Sequence, residues 1–188
     1  MIVINVISLM CLIALAVYII CFLCKYRVVP QSLSITAEYS GRYTWWKLTM
    51  CISMAWMSYY YPTVYPYRGF LLDPDYGLLP ILAVAGVAGL SMAGYYSYFP
   101  GEEDKQTLLV HKIGSFTGAV FVVLFYMFTG ENVWLILAIF GCLLVLGFLI
   151  KGKRKNYPDG NSVVFWLEIG VLYLVGSDII AHFAAVIS

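Results

Sequence analysis

The sequence predicts an all-α bundle of six membrane-spanning helices with both termini on the extracytoplasmic side. Three observations lead there. Of 188 residues, 62% are hydrophobic and only 11% are charged, where a soluble domain carries about 25% charge. Six apolar runs each fall within the range of about 17–25 residues that serves to cross a hydrocarbon core of about 30 Å. The cations are one-sided: of eleven Lys and Arg residues, only Arg68 falls away from the first, third and fifth connections.

The first run spans Ile2 to Cys24. It has no Lys or Arg ahead of it, no A-x-A site, and an apolar stretch longer than about 15 residues, so it reads as a retained helix rather than a signal peptide. The second runs from Trp45 to Tyr61 and stops at Pro62 and Pro66. The third spans Leu78 to Phe99, the fourth Leu108 to Thr129 and the fifth Val133 to Ile150. Only Gly130-Glu131-Asn132 separates the fourth from the fifth, which reads as a tight helical hairpin. The sixth spans Val163 to Ile187. The whole chain, 1–188, is expected to be one transmembrane domain.

Charge sets the orientation. The first connection carries Lys25, Arg27 and Arg42, with Lys47 just inside the second helix. The third carries Lys105 and Lys112, and the fifth carries Lys151, Lys153, Arg154 and Lys155. Short connections rich in Lys and Arg stay cytoplasmic, and acidic residues such as Glu102 and Asp104 count little. Aromatic residues fall at both expected interfaces: Trp45, Trp46, Tyr95 and Trp166 inside, and Tyr59, Tyr65, Tyr67 and Trp134 outside. Such rings favour the headgroup level.

Candidate chemistry concentrates on the sixth helix. Glu168, Asp178 and His182 fall within an arc of about 80°. Each ionisable group costs about 2.5–3.5 kcal/mol at a bilayer centre, so such a stripe should face the bundle interior or a hydrated cavity. They form a candidate polar path. Arg68, Asp73 and Asp75 lie at its outer mouth; Ser32, Ser34, Glu38 and His111 lie at its inner mouth. The alternative for the stripe is structural, with interfacial groups making one hydrogen bond each. The first connection, polar and hydroxyl-rich, is read in three ways: a short interfacial helix capped by Ser34, a partner-binding segment, or a plug in an inner vestibule.

No cofactor or metal is expected. His111 and His182 stand about 25–30 Å apart along the membrane normal, too far to share a haem iron. Asp178 and His182 are spaced i, i+4 but lack the His-rich set a hydrolytic zinc wants. Cys11, Cys21, Cys24, Cys51 and Cys142 all lie in apolar runs and imply no disulfide framework. A net charge of +1 gives no reason to expect nucleic acid. Membrane lipid is the expected partner, with the Lys/Arg cluster of the fifth connection favouring anionic headgroups. Gly114 and Gly118 form G-x-x-x-G, and Gly86, Gly89, Ala93 and Gly94 line the third helix. These small faces allow close packing within the chain or in a homo-oligomer.

Ser32-Leu33-Ser34 before an aromatic start to the second helix, Pro100 after the third, and His111 with Ile113-Gly114 opening the fourth together resemble the DUF998 family of six-helix bacterial membrane proteins, related to the DRAM-like proteins. The resemblance implies a six-helix bundle and marks the serines and His111 as a polar set. It implies no reaction. The expected function is therefore non-enzymatic: binding or passage of a small solute, ion or lipid along the sixth helix, in a bacterial inner membrane. The alternatives are a partner-binding scaffold subunit and a membrane-embedded metal-dependent hydrolase using Asp178 and His182.

Overall fold

The computed structural model describes residues 2–41, 79–95, 105–129, 133–155 and 157–187. The expected second helix (Trp45 to Tyr61) and Arg68, Asp73 and Asp75 lie outside these residues. The described chain is mostly helical: α1 (Ile2–Tyr26), α2 (Thr36–Ser40), α3 (Leu79–Tyr95), α4 (Lys105–Thr129), α5 (Val133–Leu149) and α6 (Val163–Ile187). Two strands, β1 (Lys151–Arg154) and β2 (Tyr157–Asn161), form an antiparallel hairpin between α5 and α6. Among the described residues, two helices are long and apolar enough to cross a membrane, over Leu9–Tyr26 and Leu109–Phe128, and Val133–Leu149 is a shorter apolar helix.

Local chemistry explains where the helices end. α1 continues two residues past its apolar run because Lys25 and Tyr26 are sound helical residues. It stops at Arg27, which sits at φ 50° and donates its amide to Leu23 O at 2.9 Å. α4 begins at Lys105, three residues before the apolar run at 108. Its polar first turn needs no apolar face, because the first amides of a helix can be solvated.

α6 packs against α5, α1 and α4, while α3 packs on α4. One apolar core joins Leu82 of α3, Val122, Phe125 and Tyr126 of α4, Ile136 of α5, and Val171, Leu174 and Val175 of α6. The opposite surfaces expose apolar side chains: Met10, Ile13, Val17 and Ile20 on α1, and Trp134, Val145, Phe148 and Leu149 on α5. Helices bearing large exposed apolar faces suit a lipid environment, in which such faces are solvated rather than wasted.

The close approaches are made at glycine. A Cβ on Gly89 would meet the Gly118 amide nitrogen, with Gly118 Cα at 2.6 Å and Gly114 O at 2.9 Å. The G-x-x-x-G face of α4 is thus occupied by α3 of the same chain. At the other seam, a Cβ on Gly147 would lie 2.5 Å from Val163 Cα. The start of α6 therefore lies directly against the end of α5.

Candidate functional site

A second apolar cluster lies at the hairpin end of the molecule. Leu33 and Ala37 of the first connection are buried with Leu15 of α1 and Phe165 of α6, flanked by Tyr18, Ile19, Leu23, Trp166 and Ile169. Leu33 and Ala37 are spaced i, i+4, so one side of a single helical turn supplies both. The connection therefore does not stay at the end of the bundle but folds back between α1 and α6. Ser40 Oγ meets the Tyr18 hydroxyl at 2.8 Å. Tyr18 lies eight residues, or about 12 Å, before the end of α1.

This returning segment must satisfy its own backbone. The Ile35, Thr36, Ala37 and Glu38 amides donate to the carbonyls of Ser32, Leu33, Ser34 and Ile35 at 3.0–3.2 Å. The Leu33 amide has no such local carbonyl; it donates to Glu168 Oε2 of α6 at 2.6 Å. In return, Gln31 O accepts the Phe165 amide at 3.1 Å. Thr36 is buried and turns its hydroxyl to Leu33 O at 2.6 Å. The N-cap position is Ile35, with no side-chain cap. The expected Ser34 cap is thus replaced: its hydroxyl contacts Ser32 Oγ at 2.8 Å instead.

The hairpin closes over this segment. Lys153 N donates to Val29 O at 2.8 Å, and Pro30 bridges Lys153 in parallel, so residues 29–30 lie along β1 on the side away from β2. Gly152 is buried because Asn161 O and Gln31 Cγ occupy the space a side chain would need. Arg154 Nε donates to Glu38 Oε1 at 2.6 Å, and the Lys155 amide reaches Glu38 Oε2 at 3.1 Å. The Glu38 side chain is 6% exposed and that of Arg154 is 21% exposed, so water screens this pair far less than a surface bridge. Ser162 is fully buried, bonding Gly147 O through its amide at 3.0 Å and Ile150 O through its hydroxyl at 3.0 Å.

Aromatic rings cover the far side of the segment. Tyr39 packs edge-on to Phe22 at 5.4 Å and against Tyr26 at 5.2 Å, and the Tyr26 hydroxyl donates to Tyr39 O at 3.1 Å. Burial raises the Tyr39 hydroxyl above its ordinary pKa, and the carboxylates of Glu38 and Asp159 act in the same direction.

The structure brings Ser32, Ser34, Glu38 and Glu168 into one module. Asp178 is half-buried on α6, with Oδ2 enclosed from solvent, ten residues beyond Glu168. That places it about 15 Å further along the axis. His182 lies one turn beyond on the same helix. His111 is half-buried on α4, which packs chiefly on α3. Among the described residues, no three His, Cys, Asp or Glu side chains gather as a metal-binding set.

Sequence reasoning missed Gln31, Gly152, Arg154 and Ser162 as structural partners. Gly152, alone among cations in Lys151-Gly-Lys-Arg-Lys, was the available signal of a close backbone approach. Comparison with family models, curated proteins and solved structures finds no match.

Proposed function

We propose that this is a non-enzymatic six-span membrane protein of the bacterial inner membrane, with its hairpin end cytoplasmic. In this reading it passes a small solute or ion along α6, and residues 29–41 form a re-entrant plug at the inner mouth. The observation that supports it most is the fold-back of that segment to the level of Tyr18. Non-helical backbone at membrane depth is tolerated only where protein buries it or where it lines a water-filled cavity. Here it is held by two carboxylates at detachable contacts, Glu168 on the Leu33 amide and Glu38 on Arg154. The enclosed Asp178 oxygen lies deeper along the same helix and suits a path that continues outward. The Glu38–Arg154 contact is a charge-assisted bond, and together with the Glu168–Leu33 bond it is strong enough to hold the plug and reversible enough to release it.

Flux in liposomes tests this. Proton entry read by an entrapped pH dye, and potassium efflux, should be low for the parent chain. Arg154→Gln should raise one of them about tenfold, equivalent to about 1.4 kcal/mol of weakened closure. Adding Asp178→Asn to that opened variant should abolish the gain. Flux unaltered by Arg154→Gln, or a gain that survives Asp178→Asn, would overturn the passage reading. The partner-binding scaffold reading draws on the same ordered hairpin and predicts no flux in any variant, with a stable protein recovered from native membranes.

A further inference from the structure

The hairpin emerges directly from an exposed apolar helix end. On α5, Val145, Phe148 and Leu149 are 57%, 65% and 76% exposed, and β1 begins two residues later. Along the strand exposure alternates: Lys151 and Lys153 face outward, Gly152 is buried, and Arg154 turns to Glu38. Lys155 is exposed in turn. The contact of Val29 and Pro30 with Lys153 brings the end of α1 alongside, and there Lys25 and Arg27 are exposed. That helix end also has an exposed apolar surface, with Ile20 59% exposed. Five exposed cations therefore adjoin two exposed apolar helix ends. Asp159 of β2 is the exposed acid of the hairpin, and Glu38 is occupied by Arg154.

We infer that this face binds an anionic phospholipid. Its phosphate meets Lys151, Lys153 and Lys155, with Lys25 and Arg27 beside them, and its acyl chains lie on Phe148, Leu149 and Ile20. Two features favour a lipid over a soluble phosphate compound. The cations border apolar surface that only a chain-bearing ligand would cover. Their backbone is already ordered by the hairpin ladder and by loop contacts, so binding does not have to order it. Cations near an anionic surface each strengthen binding about fivefold. Topology signalling alone requires positive charge but not this ordered placement. The inference does not depend on the passage reading, since a lipid-binding hairpin serves a scaffold equally well.

The test uses the purified full chain in neutral detergent, titrated with dioleoyl phosphatidylglycerol or dioleoyl phosphatidylcholine and read by native mass spectrometry. Phosphatidylglycerol should bind preferentially. The triple variant Lys151→Gln, Lys153→Gln, Lys155→Gln should weaken it on the order of 100-fold while leaving phosphatidylcholine unchanged. The triple Lys→Arg variant should retain the preference, and it keeps the test decisive if the Gln variant folds poorly. Lys112→Gln, an exposed cation on α4, should have no effect. Equal binding of the two lipids would overturn the inference, as would a preference retained by a folded triple Gln variant or lost in the triple Arg variant. So would an equal loss in Lys112→Gln, which marks net charge alone. Displacement of the lipid by millimolar inorganic phosphate would assign the site to the free anion and also overturn it.

Discussion

Gly89→Ala is expected to destabilise the folded chain by about 3 kcal/mol, the upper end of the range for overpacking a close contact. The reason is that the added methyl meets backbone, not side chain. Its carbon would stand 2.6 Å from Gly118 Cα and 2.9 Å from Gly114 O. A flexible side chain could turn away, but two helical backbones can only move apart, and separation forfeits dispersion contacts along the whole α3–α4 seam. In lipid no hydrophobic force draws the helices back together, so packing itself is the main attraction. Gly141→Ala is the matched control. Nothing lies within 4 Å of its new carbon, and Ala is a better helix former than Gly by about 0.8–1 kcal/mol. That change should be neutral or stabilising. Equilibrium unfolding in mixed micelles with increasing dodecyl sulfate compares the two. If Gly89→Ala proved no more damaging than Gly141→Ala, the α3–α4 contact would be wrong.

The helices were legible because each rests on a local property: an apolar run between polar or Gly/Pro punctuation. Apart from the short α2, the described helices begin and end within a few residues of those runs. α4 starts early only because Lys105, Gln106 and Thr107 can be helical without being apolar. The hairpin was not legible. A strand is recognised by alternating apolar and polar residues, and Lys-Gly-Lys-Arg alternates exposure without any apolar residue. Its covered positions are a glycine against Gln31 and an arginine against Glu38, partners more than a hundred residues away in sequence. The return of the first connection had one local hint, the i, i+4 pair Leu33 and Ala37 within a polar segment. Glu168 stood out as an ionisable residue within an apolar run, but its partner did not. Its bond spans 135 residues to a backbone amide, and an amide has no sequence signature. The ionisable stripe on the sixth helix thus contains two kinds of position, with Glu168 engaged by the loop and Asp178 further along the helix.

Glu168→Ala should release residues 29–41 while leaving the rest of the bundle folded. The carboxylate does two opposing things. Holding a carboxyl group among Leu33, Phe165 and Ile169 carries a desolvation cost, and removing it recovers part of that cost. Removing it also leaves the Leu33 amide pointing into a packed interface with no acceptor, a loss of about 1–3 kcal/mol. The second effect wins. Part of the desolvation cost is already offset by the backbone donor that the side chain holds, whereas on its removal the 2.6 Å bond is lost completely and Leu33 stays buried. A net loss of about 2 kcal/mol corresponds to roughly 30-fold faster amide exchange wherever local opening governs it. Hydrogen exchange read on peptides should show that acceleration across residues 31–38 and none in the α3–α4 peptides. Glu168→Gln keeps an acceptor oxygen in place and should accelerate exchange less. Arg154→Gln loosens the other end of the same segment through Glu38, and because both variants act on one short helix their effects should not simply add. Unchanged exchange in residues 31–38 of Glu168→Ala would mean that apolar packing of Leu33 and Ala37 alone holds the segment. The carboxylate would then be free for another role.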